Sequence, residues 1–102
     1  GSSWKWTLTD KYRFQNNEFK LIGHSSRSGK PCEYWADLDF NLSTGLAIYV
    51  KLKDVCEEDE SSEQYKNESE TFYHKSLHLT LINRNLNNTS IISPKLKRTF
   101  KL

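Results

Sequence analysis

No stretch of these 102 residues is apolar for long enough to cross a bilayer as a helix. Methionine is absent, so no initiating Met is present, and Gly1-Ser2-Ser3 reads as an expression scar. The remainder, 4–102, is expected to be a single β-rich domain, either a mature protein or a piece excised from a longer one. The phosphate-cradling motifs G-x-x-x-x-G-K-[ST] and G-x-G-x-x-G are missing, and no serine sits in a G-x-S-x-G context. Only two cysteines occur, with no C-x-x-C pair, so a zinc ribbon is excluded. Hydrophobic residues make up only 35%, which implies a thin core in a domain of already marginal size.

Large rings compensate for that thin core. Aromatics reach 13%, and each buries more area than an aliphatic side chain, which argues against a disordered chain. The net charge of +2 hides a polarised layout. The segment 54–70 holds eight acids against the single base Lys66, whereas the last eight residues hold four bases and no acid.

Alternation organises the chain. Trp4, Trp6, Leu8, Tyr12 and Phe14 share a period of two and predict a strand with one buried face. Asn16-Asn17 predicts a turn, because Asn tolerates positive φ, and Phe19–Ile22 predicts the returning strand. Residues 24–31, "HSSRSGKP", read as a loop. Next comes a strand from Cys32 to Phe40. The turn "NLSTG" follows, with Gly45 in the left-handed position, and then a strand over Leu46–Leu52. The acidic segment 54–70 reads as a solvated loop with a fragment of helix. Phe72–Ile82 reads as a further strand, Ile91-Ile92 as a last short one, and the residues after Pro94 as a basic tail. The fold class is therefore all-β, with an α+β variant open: antiparallel hairpins in a single sheet, small sandwich or partial barrel.

Folding the hairpin about "NLSTG" so that facing residue numbers sum to 88 sets Phe40 against Ile48, Leu38 against Val50 and Ala36 against Leu52. The same register sets Cys32 against Cys56, which predicts a disulfide and an oxidising compartment.

Candidate chemistry is sparse. His74 and His78 have the spacing of a helical metal pair, but on a strand they stand about 13 Å apart, so no metal is expected. Glu33, Asp37 and Asp39 flank Trp35 on one strand face, where a solvated sheet surface competes with a sugar-stacking platform. Basic residues with nearby rings (Tyr12, Arg13, Phe19, Lys20) suggest a nucleic-acid platform, which the acidic segment opposes.

The strings "YRFQNNEFKLIG" and "DFNLSTGLAIY" together resemble the C-terminal region of small, mostly uncharacterised exported or lipoprotein-type proteins of Gram-negative bacteria. The resemblance spans about Lys11 to Lys53 and carries no catalytic motif. The resemblance implies a β-rich domain in the bacterial envelope, most simply the periplasm, forming the C-terminal part of a longer protein.

These readings converge on a non-catalytic binding protein without a cofactor. Its expected partner is a protein with a basic surface, such as a toxin or cell-wall hydrolase neutralised in the manner of an immunity protein. Neither a nucleic-acid partner nor a transmembrane segment is expected. The acids Glu57, Glu58, Asp59, Glu60 and Glu63 would meet that surface, with Tyr65 and Trp35 as anchors. A carbohydrate- or envelope-binding module built on Trp35, Asp37 and Asp39 is the alternative. A small nuclease toxin using His24, His74 or His78 with Glu33 is the second.

Overall fold

The computed structural model describes residues 3–86 and 88–102; Gly1, Ser2 and Asn87 lie outside it. The protein is all-β: a five-stranded antiparallel sheet plus a separate hairpin, with no α-helix among the described residues and no barrel closure. The sheet is a meander in the order β1 (Lys5–Gln15), β2 (Glu18–Lys30), β3 (Tyr34–Asn41), β4 (Leu46–Lys53) and β5 (Glu68–Tyr73). The hairpin pairs β6 (Ser90–Ile92) with β7 (Thr99–Lys101). The residues after Pro94 thus turn back as a strand instead of trailing as a basic tail.

Two turns follow directly from residue type. Asn16 and Asn17 both adopt positive φ (52° and 61°), the primed-turn geometry that matches strand twist. Gly45 has φ of 85°, and its N–H closes the β3–β4 loop onto the Asn41 carbonyl at 2.7 Å.

One face of the sheet is covered by the chain that follows β5. Leu21, Phe40, Ala47 and Phe72 from the sheet, with Leu42 from the β3–β4 loop, pack against Leu79 and Ile91 of that cover. Phe100 completes the layer by stacking near Phe72 and Tyr49. The strand expected over Phe72–Ile82 stops at Tyr73. The chain then passes the β3–β4 turn, where His74 N–H bonds the Gly45 carbonyl, and moves across to the β2 side, where Leu79–Leu81 pairs beside β2 in the gap left by the shorter β3.

The structure corrects three further expectations. Residues 24–31 are mostly strand: His24–Lys30 belongs to β2, because β1 and β3 supply hydrogen-bond partners on both sides. Its small residues are needed there; a Cβ at Gly29 would collide with the Tyr34 carbonyl and the Trp35 ring. The β3–β4 register sums to 87, not 88: Phe40 faces Ala47 and Leu38 faces Tyr49. The buried face of β4 is therefore odd-numbered, and Ile48 and Leu52 are exposed. Finally, Trp4, Trp6 and Leu8 are not core. They lie on the covered side of the sheet but beyond the reach of the cover, and Trp6 is 68% exposed.

A buried polar tie holds the cover in place. Arg84 Nε donates to Asp10 Oδ2 at 3.1 Å, and His24 Nδ1 donates to Asp10 Oδ1 at 2.7 Å. Burial raises the Asp10 carboxyl, but these two donors outweigh it and hold it below its ordinary value.

Candidate functional site

The predicted disulfide is present between Cys32 and Cys56, with Cα atoms 5.1 Å apart. It does not arise from a directly facing cross-strand pair. Cys32 lies in the β2–β3 turn with φ of 66°, and Cys56 lies three residues past β4. Asp54 organises the approach: its Oδ2 accepts the Cys32 N–H at 2.9 Å and the Trp35 indole N–H at 3.2 Å.

Beyond Cys56 the chain makes a tight acidic turn. Asp59 N–H bonds back to the Cys56 carbonyl at 3.2 Å, and Glu58 takes a positive φ of 65°. Asp59 Oδ1 accepts the Ser61 N–H at 2.8 Å and starts a 3₁₀ turn over Ser61–Gln64, with Ser62 buried beneath it. Hydrogen bonds from the Ser61 side chain and backbone hold the Asp59 carboxyl below its usual range. Glu57, Glu58, Asp59, Glu60 and Glu63 all point to solvent. Among the described residues none of the five forms an ion pair.

The acidic segment is not uniformly solvated. Glu68 and Glu70 lie in β5 and are used internally. Glu70 is buried and accepts the backbone N–H groups of Lys95 and Leu96 at 2.9 and 2.8 Å, fastening the β6–β7 turn to the sheet. Glu68 accepts from the Tyr49 hydroxyl at 2.8 Å and pairs with Arg98.

Tyr65 folds back from the acidic turn onto the sheet. Its hydroxyl donates to Glu33 at 2.9 Å, and its ring lies 4.5 Å from that of Tyr34. Lys51 Nζ sits over both rings. Trp4 contacts the other side of Tyr34 at 5.5 Å, edge-on. An aromatic path thus runs from Trp4, just before β1, through Tyr34 and Tyr65 to the Glu33 carboxylate. The exposure of Trp4 and Trp6 is missed in the sequence, because alternation assigns both to the core; it depends on how far the cover extends.

Trp35 lies on the opposite face. Arg27 covers its ring at 4.6 Å and pairs with Asp37 at 3.1 Å, while Asp39 accepts from Ser25. The three residues of the sugar-binding alternative are thus engaged with one another's neighbours, and the Trp35 ring presents no open face on the Arg27 side. The histidines of the nuclease alternative each have a partner within the domain. His24 is buried, His74 bonds the Lys75 carbonyl, and His78 pairs with Glu18 at 2.9 Å. Glu33 is occupied by Tyr65 and Lys30. Among the described residues no cluster of His, Cys, Asp and Glu is arranged to hold a metal.

Comparison with known protein families, curated proteins and solved structures finds no match to this chain.

Proposed function

We propose that this domain is a non-catalytic binding protein whose working surface is its disulfide end. The reading is carried by one observation: five exposed carboxylates, without an ion pair among the described residues, stand on a turn anchored by a disulfide, at the end of the sheet where exposed Trp4 packs on Tyr34. A fixed turn presents its charges with little ordering cost on binding. Carboxylates steer a basic partner into contact, and Trp4 and Trp6 supply the large rings that dominate interface energetics. An immunity-type role, occupying the basic cleft of a toxin or cell-wall hydrolase, fits that chemistry. The Cys32–Cys56 bridge suits an oxidising, extracytoplasmic setting, and the periplasm is the proposed location.

Two immobilised forms test the reading, the wild type and a variant carrying lysine at Glu57, Glu58, Asp59 and Glu60. Each is exposed to an envelope extract of the source organism. A basic protein retained by the wild type, released by salt and not retained by the variant supports the reading. Equal retention on both forms contradicts it.

A further inference from the structure

The opposite end of the molecule has a different chemistry. The β1–β2 hairpin outruns β3, whose pairing with β2 ends at Gly23 and Asn41. Beyond that point Leu42 donates to the Ile22 carbonyl at 3.0 Å, and Leu79–Leu81 then flanks the hairpin: Leu79 accepts the Leu21 N–H at 2.7 Å, and Leu81 donates to the Phe19 carbonyl at 2.9 Å. Phe14, Phe19 and Leu81 therefore form one row across three chain segments, with the two phenylalanine rings 4.9 Å apart. This row continues the core face past the edge of its cover. Leu21 and Leu79 are fully buried, but the next residues outward, Phe19 and Leu81, are about half exposed (49% and 54%). Ile82, at the turn that follows, is 85% exposed.

The other side of the same hairpin is basic. Arg13 stands directly opposite Lys20 in the ladder, and Lys11 lies two residues along the strand from Arg13. Among the described residues none of the three has an ion-pair partner. Like charges set across a ladder destabilise it unless an anion lies between them. Of the nearby acids, Glu18 at the tip pairs with His78, and Asp39 lies further back in the groove that Lys11 lines.

We propose that this hairpin pole docks on an anionic phospholipid bilayer. Phe14, Phe19, Leu81 and Ile82 enter the headgroup–acyl boundary, while Lys11, Arg13 and Lys20 meet lipid phosphates. Apolar side chains projecting from a narrow tip, with a cluster of cations behind them, complement such a surface in both shape and charge. The 55 Å long axis of the molecule supports a tip-first orientation. The thirteen residues of β2 put the tip about 40 Å from the disulfide end, so the acidic turn points away from the membrane and stays available.

Flotation of the intact domain with vesicles tests this. Wild-type protein is expected to float with phosphatidylcholine–phosphatidylglycerol vesicles, to release in high salt, and to stay behind with pure phosphatidylcholine. Arg13→Gln/Lys20→Gln is expected to weaken binding about thirtyfold. Phe14→Ser/Phe19→Ser is expected to abolish it with an unchanged circular dichroism spectrum, since both rings are exposed. Lysine substitution at Glu57 to Glu60 is expected not to weaken it, which keeps this test separate from that of the acidic surface. Absence of flotation with either vesicle overturns the proposal. So does flotation indifferent to both hairpin variants, or a tip that instead drives self-association in sedimentation velocity.

Discussion

Cys32 and Cys56 meet with their Cα atoms 5.1 Å apart and close a 24-residue loop that contains the whole β3–β4 hairpin. The bridge fixes the origin of the acidic turn against the start of β3. Replacing both cysteines with serine is expected to cost about 3 kcal/mol in urea denaturation, from the chain entropy returned to the unfolded state. Hydrogen exchange is expected to accelerate across 54–67. An unchanged denaturation midpoint contradicts this.

The observed register makes a paired prediction. Phe40 is fully buried against Ala47 and Phe72, whereas Ile48 is 40% exposed on the other face. Phe40→Ala is expected to cost about 4 kcal/mol and Ile48→Ala less than about 1 kcal/mol. Comparable losses at the two positions point to the slipped register.

That slip shows what was legible in the sequence. Asn16-Asn17 and Gly45 announce their turns because few side chains tolerate positive φ. In β4 the even residues are all aliphatic, and the odd ones are Ala47, Tyr49 and two lysines, so aliphatic count selects the even face. Closure of the loop through Gly45 and Asn41 selects the odd one, and Ala47 is small because Phe40 and Phe72 flank it. The disulfide pairing was right although the register behind it was off by one, since the chain leaves the ladder before either cysteine. Nothing local reveals that Arg84 reaches Asp10 or that Glu70 fastens the β6–β7 turn. Those contacts span 74 and about 25 residues. The exposure of Trp4 and Trp6 was hidden for the same reason, because it depends on where the cover ends.

Acid is expected to loosen the cover. At Asp10 burial opposes ionisation, but Arg84 and His24 prevail; at Glu70 burial is likewise outweighed by the N–H groups of Leu96 and Lys95. Both carboxyls therefore lie below their ordinary values. A lowered folded-state pKa means that the unfolded chain binds more protons near pH 4. The stabilisation is complete above the ordinary carboxylate pKa and is lost as pH falls through the depressed folded values. Urea midpoints are expected to drop below about pH 4, and to drop less in Glu70→Gln. A flat profile there contradicts the assignment.

Arg84→Ala leaves Asp10 and His24 paired but removes the strap that holds the cover on β1. A loss of about 2 kcal/mol is expected, below the usual cost of a broken buried pair because Asp10 is partly exposed. Faster hydrogen exchange is expected over 79–86 and not in β3 or β4. Uniform acceleration throughout the sheet contradicts a local strap.

The central claim is that the carboxylates beyond Cys56 steer a basic partner. Its most direct test is the association rate of the captured partner as a function of salt, for the wild type and for the variant with lysine at Glu57, Glu58, Asp59 and Glu60. The wild-type rate is expected to fall steeply with added salt; the variant is expected to associate at least about tenfold more slowly at low salt, with a flattened dependence. Identical rates and identical salt dependence contradict the claim.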